Sequence, residues 1–263
     1  KNTIFQYHGY VDIDQKKGHP TILLCHAKKN GMKLPAYEKY LSDFDKIVED
    51  MVIYYSCADS TITKDDIKLL FNRTIYGGGH TEWTNDIVSG VLDKIYVKSK
   101  GSDYDPYAPV NDCSYAPKAF KWPPKNMKNT NKPHKFYKLF HAETKTLIEL
   151  IYSSNTALAS KVCSEIEGGI EVDWRRKGRT MSYFCGIVEN EITFQAYKFL
   201  KVNEYIEDRH CDWGYDGLTM PDFSQYEGYG SVESVLDEMN LFVQESTGFN
   251  DVVFVLKSFK QSD

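Results

Sequence analysis

The sequence predicts an α+β fold, with a mixed or antiparallel sheet and flanking helices. Two observations lead to this class. Several segments repeat apolar residues at helical spacing, while others are short β-prone runs bounded by Gly, Asn or Pro. The two kinds of segment follow one another without the strand–helix–strand alternation that builds a parallel sheet. Neither an internal repeat nor a clear domain boundary is apparent, so the sequence predicts one domain over residues 1–263.

The chain is predicted to begin with a β-hairpin. Residues 4–13 and 21–27 are β-prone runs on either side of the turn DQKKGHP. A helix should follow from Leu34 to Met51, because apolar side chains recur there on one face and Pro35 suits a first helical turn. The next predicted elements are a short helix over 65–71, a short strand over 72–79 and a strand over 87–98.

A long segment in the middle of the chain, about residues 99–134, is predicted to be an arm. Residues 99–133 hold six of the nine prolines and show no periodicity. Loops of this length are uncommon inside one domain. We therefore expect an arm or lid that contacts a partner.

The remaining elements alternate between the two kinds of structure. Residues 135–152 should turn from strand to helix, and 155–167 should be a second helix closed by Gly168 and Gly169. Ser231 is predicted to cap a helix that ends at Gln244. The other elements are an antiparallel meander of three strands (170–174, 179–188 and 191–202), a loop (205–230) and a terminal strand (251–259).

Composition limits the function classes. The formal net charge of −5 argues against a protein that mainly coats nucleic acid, although it allows a local basic patch. No apolar stretch reaches the roughly 18 to 20 residues that cross a membrane. The six cysteines show no C-x-x-C pair and are predicted to be free thiols in a reducing compartment, which indicates an intracellular and cytoplasmic protein.

Tyrosine is the most unusual feature of the composition. The chain has 19 Tyr and 14 Phe. Tyr side chains offer stiff, amphipathic contact area and favour interfaces, although a Tyr-rich core is an equal alternative. The residues that we single out as candidate assembly contacts stand mostly in near pairs: Tyr7, Tyr10, Tyr54, Tyr55, Tyr104, Tyr107, Tyr226 and Tyr229.

Parts of the chain resemble the polyhedrins of cypoviruses, which crystallise around virions in the cytoplasm of insect cells. The similar parts are the leading hairpin (Phe5–Ala27), the Lys-, Tyr- and Leu-rich helix (Lys33–Asp50) and NRTIYGGG (72–79). The ending DVVFVLKSF resembles the last strand of baculovirus polyhedrins. The resemblance covers about a third of the chain. The helix that links neighbouring cypovirus trimers has no counterpart here, and the middle and C-terminal thirds do not match.

This resemblance implies a structural, self-assembling matrix protein of a viral occlusion body. Its partner would be its own copies, inside an infected host cell, with no cofactor, no membrane and no catalysis. Tyr loses its proton near pH 10, so tyrosinates packed at interfaces would repel one another and dissolve such a lattice in alkali. A protein of this kind should sediment as large particles.

A catalytic alternative starts from Asp12 and Asp14. Residues at positions i and i+2 of a strand share a face, which is the arrangement that a two-metal site requires. Together with His80 after three glycines and Asp173 after an apolar run, they resemble the motifs of archaeo-eukaryotic-type primases. That resemblance implies a nucleotidyltransferase that uses Mg²⁺ or Mn²⁺ with a nucleotide and acts on nucleic acid.

The chain departs from the primase pattern around these residues. Only eleven residues precede Asp12, and a second predicted strand follows where a helix is expected. The other interpretation is that Asp12 and Asp14 are solvated acids at a hairpin edge that face Lys16 and Lys17.

Three further motifs carry weaker predictions. His141-Ala142-Glu143 resembles the zinc deaminases, but only Cys163 stands near the expected second ligand position. Cys25-His26 and His210-Cys211 pair a thiol with a base in sequence alone. The glycines before His80 could cradle a phosphate through their N–H groups, although they lack the lysine of a P-loop.

Overall fold

The structure, a computed structural model, describes residues 9–90, 124–164, 173–207, 211–214, 216–225 and 231–257. Of these residues 66% are helical, and the strands form one four-stranded antiparallel sheet, so the predicted α+β class is confirmed. The described elements in chain order are β1 (Tyr10–Gln15), α1 (Gly18–Lys29), α2 (Pro35–Ser42), α3 (Phe44–Tyr55), α4 (Lys64–Ile75), α5 (His80–Ser89), α6 (Lys135–Ser154), α7 (Thr156–Ser164), α8 (Asp173–Val202), β2 (Asp212–Trp213), β3 (Gly217–Pro221), a 3-10 turn (Phe223–Gln225), α9 (Val232–Thr247) and β4 (Phe254–Leu256).

The chain divides into two compact units. The first unit comprises Lys1–Ser42 and Lys145–Asp263, and the second comprises Asp43–Thr144. The prediction of a single domain over 1–263 stays a prediction, because two compact units can belong to one domain. None of the described helices has the length and apolar character needed to cross a membrane.

The sheet of the first unit has the order β2-β3-β1-β4. Ile13 on β1 stands opposite Leu218 on β3 and Leu256 on β4, and Asp14 stands opposite Gly217 and Val255. Ile13 and Leu218 are fully buried, and β3 contacts α8 while β4 contacts α9. One face of the sheet therefore lies on these two helices, and the other carries Asp12 and Asp14.

Helix α1 corrects the predicted strand at 21–27. Ile22, Leu23 and Ala27 are fully buried, and Leu24 and Cys25 nearly so. A helix that is buried on most of its surface shows a continuous apolar run instead of a 3.6-residue period, and such a run is indistinguishable from a buried strand. The hairpin prediction is therefore wrong after β1, because the chain passes from β1 directly into α1.

Helix α8 corrects the predicted meander. Residues 173–202 form one helix of 30 residues, where the sequence predicts two strands with a turn at Glu189 and Asn190. Its buried face includes polar groups, among them Thr180, Glu189 and Thr193, which hide the helical period of the apolar residues. Residues 165–172, which include most of the first predicted strand, lie outside the described residues.

The named elements that the structure describes in the second unit are all helices, joined by loops that contain two isolated β-bridges. Tyr55, Trp83 and Phe140 are fully buried at its centre. Helix α4 begins with a capping box, in which Thr63 N donates to Asp66 Oδ2 at 2.7 Å and Asp66 N donates to Thr63 Oγ1 at 3.2 Å. The predicted strand at 72–79 is instead the end of α4 and a glycine turn, and the predicted strand-like start of 135–152 is helical from Lys135.

Other boundaries agree more closely with the predictions. Helix α9 and strand β4 confirm the predicted helix at 231–244 and the terminal strand, which is shorter than predicted. The predicted loop 205–230 contains β2 and β3. The predicted strand at 87–98 is wrong at its start, because residues 87–89 belong to α5 and Gly90 is the left-handed C-cap of that helix. Residues 91–98, and most of the predicted arm, lie outside the described residues.

Candidate functional site

Asp12 and Asp14 share the outer face of β1, as their spacing predicts. The Thr219 hydroxyl donates to Asp12 Oδ1 at 3.2 Å, and Lys257 Nζ donates to Asp14 Oδ2 at 2.7 Å. The prediction that Lys16 and Lys17 face these acids is wrong for Lys17, whose ammonium donates to the Leu41 carbonyl at 2.8 Å. The cation that stabilises Asp14 comes from the end of β4.

Burial dominates the electrostatics of Asp14. It raises the pKa of the Asp14 carboxyl, and the neighbouring Asp216 carboxyl acts in the same direction, while Lys257 opposes both. A paired lysine next to two carboxyls neutralises charge that a metal ion would otherwise neutralise.

Asp173 and His80 occupy different environments from those that the primase resemblance implies. Asp173 is the first residue of α8, with its side chain 64% exposed and paired to Lys177 at 3.0 Å. His80 begins α5, is 7% exposed and shares a 2.8 Å hydrogen bond with the Tyr55 hydroxyl. Burial lowers the pKa of His80 to about 4, so its ring is neutral at pH 7 and offers no positive charge to a triphosphate.

No group of three or more His, Cys, Asp or Glu side chains among the described residues has the geometry to hold a metal ion. Asp12, Asp14, Asp173 and His80 therefore do not form such a group. The catalytic alternative keeps one element of its prediction, the shared face of Asp12 and Asp14.

The glycines before His80 do not offer their N–H groups to a ligand. Gly77 N donates to the Thr74 carbonyl at 3.0 Å, Gly78 N to the Arg73 carbonyl at 2.8 Å, and Gly79 N to Glu82 Oε2 at 3.2 Å. Because all three groups have protein partners, the predicted phosphate cradle is not formed. These glycines close α4 and begin α5.

The other predicted motifs also lie in structural surroundings. Cys25 is buried in α1 with its thiol 3.5 Å from Asp251 Oδ2, and burial raises its pKa, so it is a poor nucleophile. His141 lies on α6 with its ring stacked 5.5 Å from that of Tyr137. The five cysteines that the structure describes are free thiols, as predicted.

Of the eight tyrosines that we single out for assembly, only Tyr10, Tyr54 and Tyr55 lie in the described residues. Tyr55 is fully buried, and Tyr54 donates its hydroxyl to the Lys132 carbonyl at 3.1 Å. Tyr54 and Tyr55 therefore make contacts within the chain, and Tyr55 is no surface contact. The hypothesis of a self-assembling matrix protein stays a prediction.

The second unit contains a basic groove that the sequence prediction missed. Its volume is about 440 Å³. The side chains that line it are one tyrosine, one proline, one histidine and three lysines: Tyr54, Lys132, Pro133, His134, Lys135 and Lys138.

The C-terminal end of α3 fixes the shape of this basic groove. Lys128 N donates to the Tyr55 carbonyl at 3.0 Å, and Asn129 Nδ2 donates to the Tyr54 carbonyl at 2.8 Å. A third hydrogen bond joins the two segments, in which His134 N donates to the buried Tyr55 hydroxyl at 3.0 Å. The Tyr54 ring meets the His134 ring edge to face at a centroid distance of 5.0 Å. These contacts hold the segment before α6 in one conformation, so the groove is preorganised.

The charge of the groove comes from its lysines. Burial lowers the pKa of His134, which is therefore neutral at pH 7, and the acid that acts on it most is Asp50 on α3. Lys135 and Lys138 lie in the first turn of α6, which contains no acidic residue. The N-terminus of a helix carries a partial positive charge, so two lysines at that end are repelled by it. A bound anion at the N-terminus would offset this repulsion.

A second cavity, of about 400 Å³, lies in the first unit. It is lined by charges of both signs, including Lys16, Lys28, Glu38 and Asp251. Lys28 and Asp251 are already paired at 2.6 Å. This mixed lining gives no preference for one ligand charge, in contrast to the basic groove.

One sequence signal could have identified the basic groove. Helices favour acids in their first turn, whereas this helix follows Pro133 and His134 and begins with two lysines three residues apart. The lysines of the basic groove are therefore visible in the sequence, because they depart from the usual charge preference of a first helical turn. It falls at the border between the predicted arm and the predicted helix, and neither of those two predictions depends on charge.

Comparison with known proteins gives one partial similarity. The chain is 31% identical over 70 residues to a protein described as the putative helicase V13 of the Sputnik virophage. The matched segment is 27% of this chain and 8% of that protein. No family model matches the chain, and no solved structure matches it.

Proposed function

We propose that this protein binds nucleic acid, with the basic groove as its phosphate contact. The observation that carries the proposal is the set of Lys132, Lys135 and Lys138 around one groove at the N-terminus of α6. Lysine ammonium groups and helix N-termini are both used to contact phosphate oxygens. A phosphate in the groove would relieve the repulsion between the lysines and the helix dipole.

The partial similarity supports the same class of ligand. The virophage relative is described as a putative helicase. Because the shared segment is a small part of that relative, we propose nucleic-acid binding alone for this chain and no helicase activity.

Fluorescence anisotropy with a labelled 20-nucleotide DNA strand tests the proposal. The triple variant Lys132→Ala, Lys135→Ala, Lys138→Ala should bind about 100-fold more weakly at 0.1 M salt. Each phosphate contact on a single strand adds about 0.7 to the slope of log affinity against log salt, so three contacts correspond to about two decades of affinity at 0.1 M relative to 1 M salt. A matched control replaces three exposed lysines of the first unit, Lys33, Lys39 and Lys161, with alanine and lowers the net charge equally.

The control variant should bind within about twofold of the unmodified protein, because none of its three lysines lines the basic groove. Equally weakened binding in the two triple variants would show that net charge acts without the groove. No binding by the unmodified protein would refute the proposed function itself.

A further inference from the structure

Three aromatic side chains of the first unit form a stack in which two of the rings are exposed. The Trp213 ring on β2 lies 5.9 Å from the Phe194 ring with an angle of 16°, and 5.6 Å from the Tyr197 ring with an angle of 28°. Phe194 and Tyr197 belong to α8, three residues apart, so both rings present themselves on one side of the helix. We call Trp213, Phe194 and Tyr197 the aromatic platform.

Solvent reaches the aromatic platform. Trp213 is 42% exposed and Phe194 is 44% exposed. The Trp213 side chain lies on the face of the sheet that packs against α8, because Trp213 stands opposite the fully buried Leu218. Because β2 is the edge strand, no further described strand covers Trp213. Stacking therefore holds a large, flat aromatic surface in place without burying it.

Cations adjoin the aromatic platform. Lys198 is exposed and stands four residues after Phe194 on α8, so it shares a helix face with that ring, and Lys201 Nζ lies 6.0 Å from the Tyr197 ring centroid. Acids are also near in sequence, among them Asp212, Glu191 and, three residues after Lys201, Glu204. Asp212 stands opposite Thr219 in the sheet, and the Thr219 hydroxyl donates to Asp12, so the Asp212 side chain lies on the opposite face of the sheet from Trp213. The Glu191 carboxylate accepts a hydrogen bond from Gln195 Nε2 at 2.8 Å.

We propose that unpaired bases stack on the aromatic platform, and that the nucleic acid bound by this protein is single-stranded. The inference rests on the proposed function. Proteins that bind single strands combine positive charge along the backbone with aromatic rings on which bases stack. The platform has both parts, since the Trp213 and Phe194 rings are flat and accessible and the exposed Lys198 offers charge complementary to phosphate. A duplex could not use it, because its bases are already stacked on one another.

The test compares three probes of equal length in anisotropy titrations: an oligo-dT strand, the same strand without bases, and a duplex. The unmodified protein should bind oligo-dT at least about fivefold more tightly than the abasic strand, since stacking on an aromatic ring contributes about 5- to 150-fold per base. Trp213→Ala should lose that preference, whereas Trp213→Phe should keep most of it.

The variants separate the two proposals. Trp213→Ala should leave the affinity for the abasic strand unchanged, while the groove triple variant should weaken all three probes and keep the preference for bases. Equal binding of oligo-dT, abasic strand and duplex by the unmodified protein would overturn the stacking inference and leave nucleic-acid binding intact. Loss of self-association in Trp213→Ala, without any change in base preference, would identify a second copy of the chain as the occupant and overturn the inference as well.

Discussion

Tyr55 joins three segments of the second unit that are far apart in the sequence. Its hydroxyl contacts His80 Nε2 at 2.8 Å and accepts from His134 N at 3.0 Å, and its ring is fully buried. Burial raises the pKa of Tyr55 above its usual value near 10. The same residue thus positions the basic groove and couples the stability of the unit to alkaline pH.

Replacing Tyr55 with Phe should lower the free energy of unfolding at pH 7 by about 1–3 kcal/mol, because His80 and the His134 N–H would each lose a buried partner. The difference from the unmodified protein should narrow between pH 9 and pH 11. The folded state holds the Tyr55 proton more tightly than the unfolded chain does, so its contribution is complete below pH 10 and is lost as the pH rises above 10. Urea denaturation at each pH measures both effects.

Tyr54→Phe is the matched control for this prediction. Its hydroxyl makes one exposed hydrogen bond, to the Lys132 carbonyl, so the decrease in the free energy of unfolding at pH 7 should stay near 0.5 kcal/mol. If the Tyr55→Phe difference is constant or grows up to pH 11, burial of the phenol does not control the alkaline response.

At the level of elements, the sequence predicts helices well where one face is polar. Helix α9 matches its prediction because Ser231 accepts the Ser234 N–H as an N-cap and Gly248 closes the helix in a left-handed conformation. The predictions fail for α1, which is buried on most of its surface, and for α8, in which Thr180, Glu189 and Thr193 occupy buried positions. In both cases tertiary packing decides the structure, and the period of the sequence does not show it.

Gly186 lies inside α8, and a Cβ built there has no heavy atom within 4 Å. Gly186→Ala should therefore raise the free energy of unfolding by about 0.5–1 kcal/mol, since alanine loses less backbone entropy in a helix than glycine. The midpoint of urea denaturation measures the change.

Gly217→Ala provides the opposite control. A Cβ on Gly217 would collide with the Ile13 carbonyl oxygen, which is backbone and cannot move aside, so this variant should be strongly destabilised. A destabilised Gly186→Ala variant would show that the middle of α8 is not a regular, uncrowded helix.

At the scale of the whole molecule, the net charge does not describe how the charged residues are distributed over the surface. The net charge of −5 argues against a surface that attracts nucleic acid everywhere, but it averages over the basic groove. The groove assembles Lys132, Lys135 and Lys138 from a loop and a helix, and that neighbourhood depends on the hydrogen bonds of Tyr54 and Tyr55.

Trp213 falls in a predicted loop, because the two residues of β2 are too few to form a sequence pattern.

The affinity for a single strand should fall with salt in proportion to the number of groove lysines engaged. Three contacts predict a slope of about −2 in a plot of log affinity against log salt, from about −0.7 per phosphate on single strands. Lys135→Ala should reduce the magnitude of the slope by about 0.7, whereas Lys33→Ala should leave it unchanged. Anisotropy titrations across a series of NaCl concentrations measure the slope, and identical slopes for the three proteins would exclude Lys135 from the phosphate contact.

The close approach at Gly217 also has a consequence for ancestry. Any descendant that keeps the pairing of β1 with β3 must keep glycine opposite Asp14, because every other side chain would collide with the Ile13 carbonyl. Strand pairings can persist after most of a sequence has diverged. Distant members of this lineage should thus be recognisable by an invariant glycine about 200 residues after a short N-terminal strand, even where the residues around it have changed.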